Sequence, residues 1–403
     1  MKELTCDVLV VGGGPAGLAA GASCANNNLN TIIIEKQVVI GEDIRCAEGI
    51  GGYLLDVLPL NVNLGNMWSI KGVDFFCHDY EIKRRGDYWA GYTIDRSFFE
   101  KQLAKKSLAN GAKHYLGYEL VDIDFSGVKS EIVVKKVFVK NKFNSDELVI
   151  SPKVLIAADG SFSVVSKKLG LYNPKKGETG YAYSFELSNL KLNDSKVEQI
   201  FIGGFAEGGY GYIFPKSKSV ANVGIGCTFK KKKLSTMFNE FISLPYVARQ
   251  VKNYAIVKDK TKDVVWGDVV DKMRFGNVIF CGDAANHNLK PFLEGILPGL
   301  ISGYSAGNLS KLYLANSDID LDFIDLMDKK YVDIWNYSKE IQKISLDIFL
   351  LKEEEKRHFL FFLLISQILD LDGVRRLIKM DCKHVKNFVK SQNLKKVKEE
   401  LKK

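Results

Sequence analysis

The chain is poor in the residues from which disulfide frameworks and metal clusters are built. Its 403 residues include seven cysteines and five histidines. The cysteine count is odd, no CxxC pair occurs, and no group of histidines has the spacing of metal ligands. We therefore expect neither a disulfide framework nor a bound metal, and this cysteine usage favours a reducing, cytoplasmic setting.

Long hydrophobic runs are also missing. Residues 359–369 read FLFFLLISQIL, which is shorter than the roughly 20 apolar residues that a membrane-spanning helix needs. This run predicts either a buried core helix or a lipid-facing helix at a membrane surface. The N-terminus has no apolar core after a basic start, so we expect no signal peptide.

Acidic charge is scarce near the C-terminus. Residues 372–403 contain eleven Lys and Arg against four Asp and Glu, and this excess of seven makes up most of the net charge of +9. Such a segment is either a solvated helical face or a surface drawn to an anionic membrane, where each basic residue contributes on the order of 1 kcal/mol. It has no aromatic stacking platform and no zinc-finger spacing, so nucleic-acid binding is not expected. The oligomeric state is left open.

The overall composition is that of a globular protein, with 46% hydrophobic and 26% charged residues, and the length predicts two or three structural units. The first 35 residues predict a βαβ unit. An apolar run at 6–11 predicts a buried strand, an alanine-rich stretch at 15–28 predicts a helix, and a β-branched run at 31–34 predicts a second strand that ends at Glu35.

Later patterns complete the expected architecture. Residues 96–110 predict an amphipathic helix, 120–156 a small antiparallel meander, and 180–228 a second antiparallel sheet. Residues 277–281 predict another buried strand, and the pattern turns helical from about residue 295. We expect an α/β fold in which a Rossmann-like nucleotide-binding domain is interleaved with an α+β substrate domain and followed by a C-terminal helical region. The expected boundaries are 1–65, 95–170 and 265–315 for the first domain, 66–94 and 171–264 for the second, and 316–403 for the helical region.

A glycine-rich turn joins the first strand to the first helix, where residues 12–17 read GGGPAG. Gly12 permits the tight turn, Gly14 lets the backbone approach a diphosphate, and Gly17 lets helix and strand pack closely. The N–H groups at the helix start then face the diphosphate. Glu35 is placed to accept a hydrogen bond from a ribose hydroxyl and repels a 2′-phosphate, so this turn predicts a dinucleotide other than NADP.

Two further motifs read VLIAADGSFSVVSKKLG at 154–170 and NVIFCGDAA at 277–285. The second resembles the second FAD signature of the glutathione-reductase-like flavoproteins, in which an aspartate, here Asp283, holds the ribityl chain. The first resembles the Asp-Gly motif of the hydroxylase branch of that superfamily, with Asp159 and Gly160 in place. The resemblance implies FAD as the cofactor. No second G-x-G-x-x-G follows a strand, so NAD(P)H or another reductant is expected to visit the flavin only transiently.

Two more runs narrow the resemblance, IGEDIRCAEGI at 40–50 and GYGYIFPK at 209–216. The first is similar to the Cys-Gly-Glu-Gly loop of the geranylgeranyl reductases, which saturate isoprenoid chains of lipids, although Ala47 replaces a glycine. The second resembles their aromatic substrate-pocket run, with Tyr212 where tryptophan is usual. Arg96 matches the arginine that this family places near its cofactor.

The resemblance implies a set of site residues. Cofactor contacts are implied for Gly12, Gly14, Pro15, Ala16, Gly17, Glu35, Lys36, Arg45, Cys46, Ala47, Arg96, Leu120, Asp159, Gly160, Asp283, Gly295 and Ile296. Catalytic roles are implied for Cys46, Tyr210 and Tyr212, and an apolar substrate is expected against Tyr210, Tyr212, Phe214 and Pro215. The alternatives are plain core packing for the aromatic residues and a small buried hydrophobe for Cys46.

The chain departs from the family pattern in two places. Lys167 or Lys168 stands where the hydroxylase-type motif has arginine. Leu293 replaces a glycine just before a helix whose N-terminus is expected to stabilise negative charge on the reduced flavin. Pro298 falls early in that helix and is tolerated there only near the first turn.

The function that the resemblance implies is FAD-dependent reduction of carbon-carbon double bonds in isoprenoid, geranylgeranyl-type chains, in the cytoplasm or at the membrane surface. One alternative is an FAD-dependent monooxygenase, because such enzymes share the Asp159-Gly160 motif. Another is an FAD-binding protein without catalysis. His287, close to Asp283, is a candidate proton relay, although a lone histidine in a loop is more often structural.

Overall fold

The computed structural model describes residues 2–128, 131–171, 179–265, 272–319, 321, 323–392 and 395–396. The strands are β1 Lys2–Val11, β2 Thr31–Glu35, β3 Gly49–Gly51, β4 Met67–Ile70, β5 Gly72–Cys77, β6 Tyr80–Arg85, β7 Gly91–Ile94, β8 Lys113–Leu116, β9 Tyr118–Ser126, β10 Val133–Asn141, β11 Glu147–Ala157, β12 Thr179–Ser188, β13 Val197–Ile202, β14 Tyr210–Pro215, β15 Ala221–Cys227, β16 Ala255–Asp259, β17 Lys262–Val265, β18 Arg274–Phe275, β19 Val278–Phe280 and β20 Lys395–Lys396. The helices are α1 Pro15–Asn26, α2 Arg96–Ala109, α3 Val164–Leu169, α4 Leu234–Ile242, α5 Pro245–Val251, α6 Ile296–Ala315, α7 Lys329–Phe349, α8 Glu354–Ile365, α9 Leu371–Ile378 and α10 Cys382–Ser391.

A parallel sheet in the order β19-β11-β1-β2-β8 forms the centre of the nucleotide-binding part. Its strands are rich in branched apolar residues because helices or strands cover both faces. The predicted meander at 120–156 is only partly right. β9, β10 and the first residues of β11 are antiparallel, but β11 continues alongside β1, with Val154 opposite Val8. Strand β11 thus takes part in an antiparallel pairing with β10 and a parallel pairing with β1. Its local apolar pattern does not reveal this double role.

Helices α1 and α6 pack closely against each other on one face of this sheet. A Cβ on Gly303 would lie 2.0 Å from the carbonyl oxygen of Ala16, so this contact has no room for a larger residue. Helix α1 ends at Asn26, two residues before the predicted end, because Asn28 adopts φ 60° in the left-handed region. Asparagine tolerates that conformation and so ends the helix.

The second large sheet has nine strands, with β16-β12-β15-β14-β13-β5-β6-β20 in order and β17 beside β12. The predicted second sheet at 180–228 is confirmed as β12 to β15, which pair antiparallel in the order β12-β15-β14-β13. β13 and β5 pair in parallel. A small sheet of β3, β7 and β4 stands apart from both. The predicted domain boundaries stay a prediction.

The C-terminal region is helical, as expected, and its helices cover one face of the nine-stranded sheet. Every residue of α8 from Lys356 to Ile365 is buried, and its apolar residues share a core with Phe75 and Ile200 of the sheet. The prediction of a buried core helix for the apolar run is therefore confirmed, and the lipid-facing alternative is wrong. Within the part of the chain that the structure describes, no helix is long and apolar enough to cross a bilayer.

Candidate active site

The three motif glycines of the turn after β1 differ in how much space surrounds them. Gly12 has φ 109°, and a Cβ there would lie 2.3 Å from the carbonyl oxygen of Ala158. A Cβ on Gly17 would lie 1.9 Å from the carbonyl oxygen of Gly12. A Cβ on Gly14, by contrast, would meet no heavy atom within 4 Å. Gly14 thus leaves open space at the N-terminus of α1, where free N–H groups attract a diphosphate.

The carboxylate of Glu35 lies beside this turn at the end of β2. Its Oε2 accepts a hydrogen bond from the Gly13 N–H at 2.6 Å, and its Oε1 accepts one from the Gln37 N–H at 2.8 Å. The side chain is only half-buried, so it remains accessible to a ribose hydroxyl. The open space at Gly14 and this held carboxylate together fit the diphosphate and ribose of a dinucleotide.

A cavity of about 290 Å³ is lined by residues of the nine-stranded sheet, of the small sheet, and of the loops that follow β11 and β19 of the parallel sheet. Nine of the predicted site residues line it: Arg45, Cys46, Ala47, Tyr210, Tyr212, Phe214, Asp283, Gly295 and Ile296. The fold thus brings residues predicted for the cofactor and residues predicted for the substrate to one cavity. Such a meeting point between two sheets is where ligand pockets are commonly found.

The motif at 154–170, which contains Asp159, and the motif at 277–285, which contains Asp283, meet at the wall of this cavity. Asp159 does not line it, and its Oδ2 accepts a hydrogen bond from the Val165 N–H at 3.1 Å, at the start of α3. Burial raises the pKa of Asp159. Gly160, with φ 85°, redirects the chain so that Ser161 reaches the cavity. The Ser161 hydroxyl donates to Oδ2 of Asp283 at 3.3 Å, which orients the aspartate that is predicted to hold the ribityl chain.

Helix α6 begins at the same cavity, with Gly295 as its N-cap. Pro298 is the third residue of the helix, where the missing N–H costs no intrahelical hydrogen bond, as predicted. Leu293 has φ 56°, a left-handed conformation that costs a residue with a side chain on the order of 1–2 kcal/mol. The leucine therefore stands at a position whose backbone favours glycine, the residue usual in the resembling family.

The loop after β2 places Cys46 beside a half-buried cation. The Cys46 sulfur accepts a hydrogen bond from the Glu48 N–H at 3.3 Å. The guanidinium of Arg96, the first residue of α2, contacts this sulfur and pairs with Glu100 at 2.7 Å. Burial lowers the pKa of Arg96, but Glu100 and Cys46 raise it by more, and the net shift is upward. A fixed positive charge therefore lies next to the thiol.

Four charged residues, Glu48, Lys216, Glu186 and Lys260, form a group of ion pairs behind this loop, here called the Glu48 cluster. Glu48 and Lys260 are buried, and the other two are half-buried. Oε2 of Glu48 pairs with Lys216 at 2.6 Å and with the fully buried Lys260. Glu186 pairs with the same lysines at 2.8 and 3.3 Å. Burial by itself raises the pKa of Glu48, but Lys260 and Lys216 outweigh this effect and the pKa is lowered. The cluster ties the cysteine loop to the nine-stranded sheet.

Strand β14 supplies an aromatic wall to the cavity. Tyr210, Tyr212 and Phe214 point to the same side because alternate residues of a strand share a face. The Tyr210 hydroxyl donates to the carbonyl of Phe292 at 3.1 Å, and the ring centroids of Tyr212 and Phe214 are 4.8 Å apart. Burial raises the pKa of both tyrosines, so both phenols keep their protons at neutral pH.

Two family models match parts of the chain that contain these features. The geranylgeranyl reductase catalytic domain matches residues 178–261, which include the aromatic wall. An FAD binding domain matches residues 7–56, which include the glycine-rich turn and the cysteine loop.

Curated relatives extend the match over most of the chain. The digeranylgeranylglycerophospholipid reductase of Methanocaldococcus jannaschii is 31% identical over 321 residues, covering 77% of this chain and 80% of that protein. The enzyme of the same name from Methanococcus aeolicus is 29% identical over 360 residues, covering 86% and 89%. The chain belongs to the geranylgeranyl reductase family. The predictions of this family, of FAD and of an FAD-dependent oxidoreductase are confirmed.

Solved structures share the fold of this geranylgeranyl reductase family member. The geranylgeranyl bacteriochlorophyll reductase-like protein of Thermoplasma acidophilum has a TM-score of 0.76 at 22% identity, covering 96% of this chain and 99% of that one. A flavin-dependent brominase has a TM-score of 0.66 at 18% identity, with the same two coverages. At these identities the likeness shows the fold alone, and it confirms the predicted α/β class.

Some residues that the family resemblance assigned to the site lie away from the cavity. Pro215 does not line it, because it follows Phe214 in the strand and so points to the opposite side. Leu120 is buried in β9, in the core on the far face of the parallel sheet. Lys36 is exposed, and Lys168 pairs with Asp122 at 3.0 Å. Cofactor contacts for Leu120 and Lys36 stay predictions.

His287 is completely buried and packs against Trp335, with ring centroids 5.4 Å apart. It does not line the cavity. This position fits a structural role for His287 and gives no support to a role as a proton relay.

Sequence reasoning gave no role to three acidic residues of the cavity, Glu48, Glu198 and Glu294. Glu294 accepts hydrogen bonds from the Gly51 N–H at 2.9 Å and from the Tyr53 hydroxyl at 3.0 Å. Glu198 lies in β13, in the run VEQIFI. The signal that could have found it is strand alternation, which puts this acid on the same face as Ile200.

We expect Gly14→Ala to weaken FAD binding without unfolding the apoprotein. The φ of −79° at Gly14 suits alanine, and the new methyl group enters only the open space that the diphosphate needs. The dissociation constant for FAD, measured by fluorescence titration, should rise at least about tenfold, or about 1.4 kcal/mol. Gly17→Ala is the matched control, because its methyl group collides with backbone and should lower the melting temperature instead. Wild-type FAD affinity in Gly14→Ala would contradict this account of the turn.

Replacing Glu48 should destabilise the fold in a pH-dependent way. Glu48→Gln leaves Lys260 buried without its nearest carboxylate, so the free energy of unfolding in urea at pH 7 should fall by about 3 kcal/mol. The folded pKa of Glu48 lies below its ordinary value of about 4.3, so the stabilisation is complete above that value and is lost as pH falls through the folded pKa. The difference from wild type should shrink accordingly in acid. The exposed Glu147→Gln is the control, and equal stability of Glu48→Gln and wild type at pH 7 would refute the role of the cluster.

Proposed function

We propose that this protein reduces carbon-carbon double bonds of geranylgeranyl-type isoprenoid chains carried by lipids. The observation that carries the proposal is that the cysteine loop, Asp283 and the aromatic wall of β14 line one and the same cavity. A cofactor held by the cysteine loop and Asp283 would lie against a substrate held by the aromatic wall. The relatives at about 30% identity are named as reductases of a digeranylgeranylglycerophospholipid, which agrees with an apolar, prenylated substrate.

Each end of the cavity has a distinct task in this proposal. Bound FAD supplies the hydride chemistry that an isolated alkene requires, and the protein orients the reactants and excludes water. Asp283, oriented by Ser161, is proposed to hold the ribityl chain, and the N-terminus of α6 at Gly295 and Ile296 favours negative charge nearby. Tyr210, Tyr212 and Phe214 offer an apolar surface to the prenyl chain.

Cys46 and Arg96 act together in this proposal. The loop that carries Cys46 is fixed by the Glu48 cluster on one side and by the contact with Arg96 on the other. The thiol, partly accessible, lines the cavity. It is therefore placed to position the reacting groups or to exchange a proton with them.

The electron donor and contact with a membrane are finer parts of the proposal. NAD(P)H or another two-electron donor is proposed to reduce the bound flavin transiently. In the basic C-terminal segment, Arg375 pairs with Glu340 at 2.6 Å and Lys386 with Glu355 at 2.6 Å, so part of its charge is used within the fold. Exposed lysines of α10 and of the turn before it remain for an anionic lipid surface: Lys379, Lys383 and Lys390. Residues 393–394 and 397–403 of this segment lie outside the described residues.

Anaerobic single-turnover measurements test the reaction directly. The purified protein is reduced with dithionite and mixed with a geranylgeranyl glycerophospholipid in detergent. We expect the flavin absorbance to return and the lipid mass to rise by two hydrogens for each bond reduced. Reduced flavin that is never reoxidised by any prenyl lipid would refute the proposal. Oxygen-dependent NAD(P)H oxidation that yields a hydroxylated product would establish a monooxygenase in its place.

Replacement of Cys46 should separate cofactor binding from catalysis. Cys46→Ala removes the thiol but keeps the loop, so the flavin-to-protein ratio should match wild type. The rate of flavin reoxidation by the prenyl lipid should fall at least about tenfold, or about 1.4 kcal/mol of activation free energy. Cys382→Ala, on α10 outside the cavity, is the matched control and should react at the wild-type rate. A Cys46→Ala protein as fast as wild type would remove Cys46 from the reaction.

A further inference from the structure

The cavity contains one acid whose position in the sheet points it at the aromatic wall. β13 and β14 are antiparallel, with Ile200 opposite Tyr212 and Gln199 opposite Ile213. The next step along this register puts Glu198 opposite Phe214, on the face that lines the cavity. A Cβ built on Gly49 would lie 3.1 Å from Oε1 of Glu198 and 3.4 Å from the ring of Phe214. The carboxyl group of Glu198 therefore lies between the end of the cysteine loop and the surface proposed for the prenyl chain.

The other carboxyl groups of this cavity are already engaged. Glu48 is held by two lysines. Glu294 accepts from Gly51 and Tyr53, and Asp283 accepts from Ser161. Within the described part of the chain, the side chain of Glu198 makes no hydrogen bond and no ion pair. Its acidic hydrogen is thus not committed to a protein acceptor.

The surroundings of Glu198 favour the protonated form. Burial and, as a smaller effect, the nearby negative charge of Glu294 together raise the pKa of Glu198 to about 8. The other titratable side chains that line this cavity near the two acids are Cys46, Tyr53, Tyr88, Tyr210, Tyr212 and Lys260. Lys260 belongs to the Glu48 cluster, and its positive charge is neutralised there by Glu48 and Glu186. A carboxyl group kept neutral at pH 7 by an apolar site is able to donate a proton.

We propose that Glu198 supplies the proton that completes the reduction of each double bond. This inference rests on the proposed function. The π bond breaks, one carbon receives a hydride from reduced FAD, and the other receives the proton of Glu198. Two C–H bonds form, the two electrons come from the flavin, and Glu198 is left as a carboxylate. Water that reaches the cavity reprotonates it, and the two-electron donor of the proposed function reduces the flavin again.

The test compares Glu198→Gln and Glu198→Asp with wild type and with the exposed control Glu147→Gln. Infrared difference spectroscopy follows the protonated carboxyl band in the FAD-loaded protein as pH is raised, without turnover. We expect a band that persists above neutral pH, disappears near pH 8, and is missing only from Glu198→Gln. Loss of the band well below neutral pH in wild type would overturn the proposal.

Single-turnover reoxidation by the prenyl lipid gives the second readout. Reduction by dithionite and FAD content should be unchanged in Glu198→Gln, whereas the reoxidation rate should fall about 100-fold or more. The wild-type rate should be highest below the pKa of Glu198 and decline above it, because only the protonated acid donates. Glu198→Asp should keep this decline, and Glu198→Gln should lose it.

The two proposals fail in different ways. If wild type reduces the prenyl chain and Glu198→Gln does so at the same rate and with the same pH profile, Glu198 has no role in proton transfer while the proposed function stands. If wild type shows the carboxyl band above neutral pH but never reduces a prenyl chain, the proposed function fails, and the role of Glu198 in it fails as well.

Discussion

The carboxylate of Glu48 joins parts of the chain that are far apart in sequence, and the geometry of the cavity depends on it. The residue lies between the cysteine loop and β3, and its Oε2 binds lysines that follow β14 and β16. Its Oε1 accepts from the N–H of Arg96 at 3.3 Å, at the start of α2. A buried ion pair gives little net stability but penalises every arrangement that leaves one of its charges alone. The cluster therefore specifies where the loop sits more than it strengthens the fold.

Glu48 and Glu198 show how one residue type acquires opposite properties in the same cavity. Glu48 is buried and Glu198 is half-buried, and removal from water raises the pKa of each. Two lysines reverse the effect at Glu48, whereas the neighbour of Glu198 is another acid. The first residue is therefore a permanent anion that positions a loop, and the second is suited to hold a proton. The difference lies in the partners and not in the residue, which is how environment assigns acid and base roles.

The nucleotide-binding half and the nine-stranded sheet contribute differently to function. A flavin-dependent brominase shares the overall fold at 18% identity, so the fold by itself does not select a reaction. The aromatic wall, the cysteine loop and the two acids near it are the features of this chain on which the proposed reaction depends. They come from β13, β14 and the loops beside Gly49 and Glu294, which face the position expected for the flavin.

Local patterns in the sequence determined the parts of the protein that depend on near neighbours. The glycine-rich turn, the first βαβ unit and the alternation that directs Tyr210, Tyr212 and Phe214 to one face follow from backbone sterics and strand geometry over a few residues. The cofactor could be predicted because its motifs are short and contiguous. Only the tertiary structure decided that β11 serves two pairings, that α8 is buried, and that Glu198 stands in the cavity without a partner among the described residues. Each of these depends on which distant segment packs against the residue, and that packing sets burial, charge partners and therefore chemistry.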